Sequence, residues 1–309
     1  MHCKKDEQLQ RIINQVKSLT TKGKLADYIP ALANENKEHL CASIYYLDKT
    51  CVSAGDVEHS FTLQSISKVL SLALVLMDHG EEYVFEHVGM EPTGDPFNSI
   101  VKLETNNPSK PLNPMINAGA LAVTNMIKGS DKDEQFTRLL NFIKELADSD
   151  SITYDTIVAQ SEYNTAWLNR SLCYFMKEHD IIKGSVDHLI EVYTKQCSIK
   201  MHSIELAKTA SVFANNGLHP STNKRVIPEK IAQLCKTFMV TCGMYNASGE
   251  FAIKVGVPAK SGVSGGILAV VPELCGIGIF GPALDDKGNS IAGIGLLERL
   301  SANYKLSIF

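Results

Sequence analysis

The chain has 309 residues, 44% of them hydrophobic and 21% charged, the balance of an ordinary globular protein with length enough for one large domain or two packed lobes. Thirty basic against 34 acidic side chains give a net charge of −4, which excludes a strongly basic field for nucleic acid or anionic lipid and leaves small molecules, or further copies of the chain, as partners. Apolar runs such as Leu72 to Met77 fall far short of the ~18 residues of a membrane span, and "MHCKKDEQLQ" lacks the apolar stretch of a secretion signal, so a cytoplasmic location is expected.

In chain order, Leu9, Ile12, Ile13 and Val16 repeat with helical spacing, and Pro30 in "YIP" is placed to stop one helix and open another. "CASIYYLDKTCVSAGD" reads as an antiparallel hairpin turning at Asp48 and Lys49. From Ser65 to about Met244 helical segments dominate, broken by Pro- and Asn-rich loops such as "EPTGDPFN" and "NNPSKPLNPMINAG". Thereafter "FAIKVGVPAKSGVSGGILAVVP", "LCGIGIFGP" and "IAGIGLLERL" are rich in Gly and β-branched residues and read as strands, with a short helix at the terminus. Strands at both ends around a helical middle predict an α+β fold in which the terminal strands join in one antiparallel sheet. The expectation is a single domain over 1–309, with a sheet lobe of about 1–64 and 245–309 and a helical lobe of about 65–244.

The eight cysteines include no C-x-x-C pair and read as reduced, mostly buried thiols. The nine histidines form no H-E-x-x-H and no recognisable cluster, so no metal and no cofactor are expected.

S-x-x-K occurs three times, at Ser65/Lys68, Ser99/Lys102 and Ser221/Lys224, and the first opens an apolar helix. Three residues apart on a helix, Ser65 and Lys68 share a face. Burial lowers a lysine pKa toward neutrality, and a neutral amine beside a hydroxyl makes an activated nucleophile. At a helix N-terminus Ser65 would also gain free N–H groups for an oxyanion. An N-cap serine beside a snorkelling or salt-bridged lysine explains the same pair without catalysis. Lys260-Ser261-Gly262 adds the K-[ST]-G pattern that accompanies S-x-x-K in penicillin-binding proteins and class A β-lactamases. Neither an S-D-N-like motif nor a deacylating glutamate is recognisable, which weakens a β-lactam hydrolase.

Longer strings are more specific. "ADYIPALA", "LQSISKVLSLALVL", "NPMINAGALAVT", "LIEVYTKQCSI", "CGMYNASGEFAIKVGVPAKSGVSGGI" and "PALDDKGNSIAGI" resemble the serine-dependent glutaminase family from about Tyr28 to the C-terminus. The resemblance implies a serine β-lactamase/penicillin-binding-protein-like fold and hydrolysis of L-glutamine to L-glutamate and ammonia through a serine-bound glutamyl intermediate. It implies Ser65 as nucleophile, Lys68 as its base and Tyr245 as a proton-exchanging phenol. Substrate contacts fall on Tyr28, Ser65, Asn117, Glu162, Asn169, Tyr193, Tyr245 and Val263, with Glu162 for the ammonium and backbone N–H groups of Ser65 and Val263 for the oxyanion. The segment "SEYNTAWLNRSL" departs from the family's commoner pattern around Trp167. Without a long N-terminal extension or ankyrin repeats the chain is similar to the compact bacterial type, and a homodimer or homotetramer is expected. A penicillin-recognising serine acylase and a non-catalytic amino-acid sensor remain the alternative readings.

Overall fold

The computed structural model describes residues 3–105 and 110–309; residues 1, 2 and 106–109, the last within the "NNPSKPLNPMINAG" loop, lie outside it. Its strands are β1 (Lys4–Lys5), β2 (Cys41–Tyr46), β3 (Cys51–Gly55), β4 (Ser60–Thr62), β5 (Thr153–Tyr154), β6 (Ile199–His202), β7 (Ala259–Ser261), β8 (Gly266–Val271) and β9 (Cys275–Phe280). The main sheet has the order β1-β3-β2-β9-β8-β7, so terminal segments of the chain meet in it. The central seam is antiparallel, with Cys41 opposite Phe280 and Tyr46 opposite Cys275. The hairpin expected around Asp48 and Lys49 is present as β2 and β3, with Lys49 at φ 73° in the turn.

Two features modify the expected single antiparallel sheet. Strand β1 pairs parallel with β3, and β4, β6 and β5 form a second sheet inside the stretch read as helical. Cys3 and Cys51, 48 residues apart, are joined by a disulfide beside that parallel pair, which corrects the reading of eight reduced thiols. The other six cysteines are free and buried.

The helices are α1 (Glu7–Val16), α2 (Ser67–His87), α3 (Val101–Thr105), α4 (Asn117–Asn125), α5 (Lys132–Ala147), α6 (Thr156–Thr165), α7 (Trp167–Glu178), α8 (Val186–Cys197), α9 (Ser203–Ala214), α10 (Glu229–Cys242), α11 (Ser248–Lys254) and α12 (Ile291–Tyr304). The predicted apolar face of the first helix is its buried one, but α1 ends at Val16 and a 3-10 turn carries the chain on to Lys22, well before Pro30. Helices α1 and α12 bury Leu9, Ile13, Val16, Leu296 and Leu300 on one face of the main sheet. On the other face α9 packs against β9 with glycine contacts: a Cβ on Gly276 would lie 2.2 Å from Ala207 O, and one on Gly278 2.2 Å from Ser203 O.

Two segments read as strands are helical. "FAIK" belongs to α11, and "IAGIGLLERL" forms most of α12. In α12 the Ser290 side chain accepts from Gly293 N–H as an N-cap, and Ala292, Leu296 and Leu300 recur every four residues on the buried face. The glycines that suggested a strand let the helix approach its neighbours, a Cβ on Gly295 falling 2.8 Å from Leu19.

Helix α2 is the shaft of the other core. Ser67 to Leu76 are all buried, as its nearly unbroken apolar pattern requires, and Gly80 at φ 79° kinks it where polar residues begin. Each fully buried leucine in it, Leu70, Leu72 and Leu76 among them, contributes ~1.5–3 kcal/mol. Among the described residues no helix is long and apolar enough to cross a membrane.

Candidate active site

Ser65 sits one turn ahead of α2, in the 3-10 turn Gln64–Ile66, rather than on the helix itself. Gln64 takes φ 47°, a left-handed conformation uncommon for a side chain other than Gly, Asn or Asp, and this turns Ser65 toward a cleft. The turn is pinned from both sides. Leu63 N–H donates to Ile199 O at 2.8 Å, and Ser264 Oγ donates to Thr62 O at 2.6 Å, tying the β7–β8 loop to the strand that enters the turn. Gly262 in that loop approaches so closely that a Cβ there would lie 2.4 Å from Leu63 O. This is the physical reason for the glycine of K-S-G, and it brings Val263 beside Ser65.

The cleft encloses about 600 Å³ including its mouth. Tyr28, Ser65, Asn117, Glu162, Asn169, Tyr193 and Val263, seven of the predicted site residues, line it, together with Gln64, Phe97, Leu168 and Cys197. Lys68 and Tyr245 approach from behind. Lys68 Nζ donates to Asn117 Oδ1 at 2.7 Å and to Met115 O at 3.1 Å. Asn117 Nδ2 passes the chain of hydrogen bonds on to Asn169 Oδ1 at 3.0 Å, while its N–H donates to Phe97 O at 2.8 Å and holds the start of α4. Four helices therefore deliver the polar groups: Asn117 on α4, Glu162 on α6, Asn169 on α7, and Tyr193 with Cys197 on α8.

Burial dominates the electrostatics. It holds the Lys68 amine down to about 8 from an ordinary 10.5, the charges of Cys197 and Glu162 acting weakly the other way. It raises the Glu162 carboxyl to about 7, partly offset by Gln64, Lys68 and Cys197. Gln64 and Cys197 approach that carboxylate, yet among the described residues neither Gln64 Nε2 nor Glu162 Oε2 has a partner in full hydrogen-bond geometry. A buried amide donor and a buried carboxyl oxygen left open in one cleft cost free energy that a ligand bearing the complementary groups restores. Gln64 carried no functional reading in the sequence; its place immediately before Ser65 was the only signal.

Tyr245 stands in a second 3-10 turn (Tyr245–Ala247) at φ 52°. Its phenol faces Ser65 and the Ser261 carbonyl, the latter at 3.4 Å, and burial raises its pKa well above the usual range despite both contacts. Lys260, fully buried, explains how the strained turn is held. Its Nζ lies 4.3 Å from the centre of the Tyr245 ring and donates to Gly243 O at 3.0 Å and Ser261 O at 2.7 Å. Burial, then the nearby Lys68, push the Lys260 amine far below its ordinary value. Ser261 Oγ donates to Asn289 Oδ1 at 2.6 Å, so the hydroxyl of K-S-G is occupied in the loop's own support.

Tyr28 lines the cleft although the residue as a whole is 54% exposed, and desolvation with the neighbouring Tyr245 and Glu162 raises its pKa. Trp167, in the departing segment, points outward at 71% exposure, and Arg170 stacks over Tyr163 and Trp167 with its guanidinium 4.5 and 5.5 Å from the ring centres. The departure thus alters the outer rim, while Leu168 and Asn169 still face the cleft.

The family model described as Glutaminase matches residues 23–309. A glutaminase of Geobacillus thermodenitrificans is 62% identical over 303 residues, 98% of each chain, and Glutaminase 2 of Bacillus subtilis is 60% identical over 309 residues, all of each chain. Among solved structures, a Bacillus glutaminase superimposes with a TM-score of 0.91 at 41% identity, covering 98% of this chain and 99% of that one. A Bacillus subtilis glutaminase in covalent complex with 5-oxo-L-norleucine, formed by reaction with 6-diazo-5-oxo-L-norleucine, superimposes with a TM-score of 0.89 at 39% identity over 98% and 99% of the two chains. A match this long, at this identity and with the same backbone, means that the chain belongs to the glutaminase family.

Proposed function

We propose that the chain hydrolyses L-glutamine to L-glutamate and ammonia, with Ser65 as nucleophile. The carrying observation is the pairing, in one cleft, of a buried low-pKa amine behind a serine with a buried carboxylate whose Oε2 has no partner among the described residues. The first feature suits acyl transfer and the second suits an α-ammonium group. Asn117, Asn169 and Tyr193 offer hydrogen bonds to the α-carboxylate, and Tyr28 lines the same cleft.

In the first half-reaction neutral Lys68 takes the proton of Ser65 Oγ as that oxygen forms a bond to the side-chain amide carbon. The oxyanion is held by the N–H groups of Ser65 and Val263. Collapse breaks the carbon–nitrogen bond, and the departing nitrogen receives a proton through Tyr245, leaving ammonia and a glutamyl ester on Ser65. Water then attacks the ester, giving its proton to the same base, and glutamate leaves with Ser65 restored. The covalent product described for the Bacillus subtilis relative supports an intermediate of this kind.

The sheet built from both ends of the chain, with a serine–lysine pair at the entry to a buried helix, supports a β-lactamase-like relationship and one catalytic unit over 1–309. Cytoplasmic residence and assembly as a homodimer or homotetramer complete the reading, and sedimentation of the purified protein tests the second. The deciding experiment measures ammonia released from L-glutamine by the native chain and by Ser65→Ala. Release by the native chain and none by the variant, with unchanged circular dichroism, is expected; release by both overturns the assignment of Ser65, and release by neither overturns the activity.

A further inference from the structure

Glu35, His39 and His59 carry no motif in the sequence, yet the fold gathers their side chains away from the cleft. Glu35 follows the 3-10 turn Leu32–Asn34; His39 closes the next turn by donating its N–H to Asn36 O at 2.9 Å; His59 ends the turn whose N–H donates to Asp56 O at 3.1 Å and which leads into β4. His39 Nδ1 stands 3.0 Å from Glu35 Oε1, and His59 Nε2 stands 3.0 Å from Glu35 Oε2. The three ligand atoms all lie within 4.8 Å of one another. This overturns the reading that the histidines form no cluster.

We propose that Glu35, His39 and His59 bind a divalent first-row cation of the zinc type. Donors about 2.0–2.2 Å from a tetrahedral ion are separated by ~3.4 Å, so the present spacing accepts one with small side-chain shifts. Two imidazoles and a carboxylate favour zinc, cobalt or nickel over magnesium or calcium, and three protein ligands leave the fourth position to water. The side chains are 26–29% exposed, which admits an ion from solvent while keeping the donors ordered. That order is built in. Glu35 Oε1 also accepts the N–H of Asn36 at 2.9 Å, the two imidazole rings lie 4.4 Å apart, and His59 stacks on Phe280 at 5.1 Å. Leu40, which follows His39, donates its N–H to the Asp56 carboxylate at 2.9 Å, and Lys17 holds that carboxylate in turn.

The position gives the ion a mechanical consequence. Glu35 is on the segment that carries Tyr28 and Ile29 to the cleft, whereas His59 directly precedes the strand that enters the Ser65 turn. An ion shared between them fastens the first segment to the second. The cluster lies outside the catalytic groups, and the proposal does not depend on the proposed reaction.

The test uses the full chain, stripped with chelator, with its accessible thiols alkylated so that cysteine does not compete. Cobalt(II) and zinc(II) are titrated separately. One saturable equivalent is expected, with a visible cobalt absorption of a low-coordinate nitrogen–oxygen site and a zinc-dependent rise in melting temperature. His39→Gln and His59→Gln should each weaken binding at least about tenfold, and the double variant should show neither the cobalt band nor the zinc-dependent rise. Glu35→Gln, which leaves the stacked rings untouched, should also weaken binding and guards against misfolding of the histidine variants. Absence of saturable binding up to about 1 mM metal, or binding that survives in the double variant, overturns the proposal.

Discussion

Replacing Glu162 by glutamine separates two consequences of one buried charge. The side chain keeps its shape but loses the anion that faces the cleft with one oxygen free of partners among the described residues. Removing one member of a desolvated charge pair costs ~2–5 kcal/mol, so KM for L-glutamine should rise ~30-fold to several thousandfold. Because the ammonium contact is the same in ground and transition states, kcat should change far less. Lys68 should report the loss as well: Glu162 holds the lysine pKa up, so the rising limb of kcat with pH should move to lower pH in the variant. Stability gives an independent readout. In the fold the carboxyl titrates near 7 rather than near an ordinary 4.5, so the native state binds the proton more tightly than the unfolded chain. Stability contributed by the neutral acid is therefore full below pH 4.5 and lost as pH rises toward 7. The stability of the native chain relative to Glu162→Gln should fall by about 3 kcal/mol across that window. Denaturant titrations from pH 4 to 8 and steady-state kinetics from pH 6 to 9 measure both. An unchanged KM, or a stability gap that stays flat between pH 4.5 and 7, would refute the reasoning.

Lys68→Met should abolish turnover, and the pH dependence of stability should again expose the buried amine. Its folded pKa of about 8 lies below 10.5, so the native chain should gain about 3 kcal/mol on the variant as pH rises through that interval, measured by denaturant titration. Tyr245→Phe keeps the ring over Lys260 but removes the phenol facing Ser65; kcat should fall ~10²–10⁴-fold with KM little changed, and a drop of less than about threefold would remove Tyr245 from proton transfer. Gly262→Ala places a methyl 2.4 Å from Leu63 O and must separate the Val263 loop from the Ser65 turn. Loss of one oxyanion donor corresponds to ~2.7–4 kcal/mol, so kcat should fall ~10²–10³-fold while far-UV circular dichroism is retained.

Local pattern carried the parts of the protein whose physics is local. The buried run of α2 and the hairpin of β2 and β3 follow from periodicity and turn chemistry over a few residues, whereas Ser65, expected on the helical face of Lys68, lies in the 3-10 turn ahead of α2. The longer strings carried Asn117 and Tyr193, spacing within "SEYNTAWLNRSL" carried Glu162 and Asn169, and the cleft gathers all four from different helices. Composition misled where glycine has two uses. In "IAGIGLLERL" it permits close helix packing rather than an extended backbone, and the four-residue recurrence of Ala292, Leu296 and Leu300 was the better signal.

Sequence alone determined the chemistry on offer: a serine three residues ahead of a lysine at the mouth of a buried apolar run, and a K-S-G pattern far downstream. Tertiary structure decided which groups act on one another. The low pKa of Lys68 comes from burial under surrounding elements, the left-handed turns at Gln64 and Tyr245 are stabilised by contacts such as those of Ser264 and Lys260, and Glu35 meets His59 across 24 residues of chain. Desolvation and long-range contact depend on what the rest of the fold places around a residue. No window of neighbouring residues contains that information.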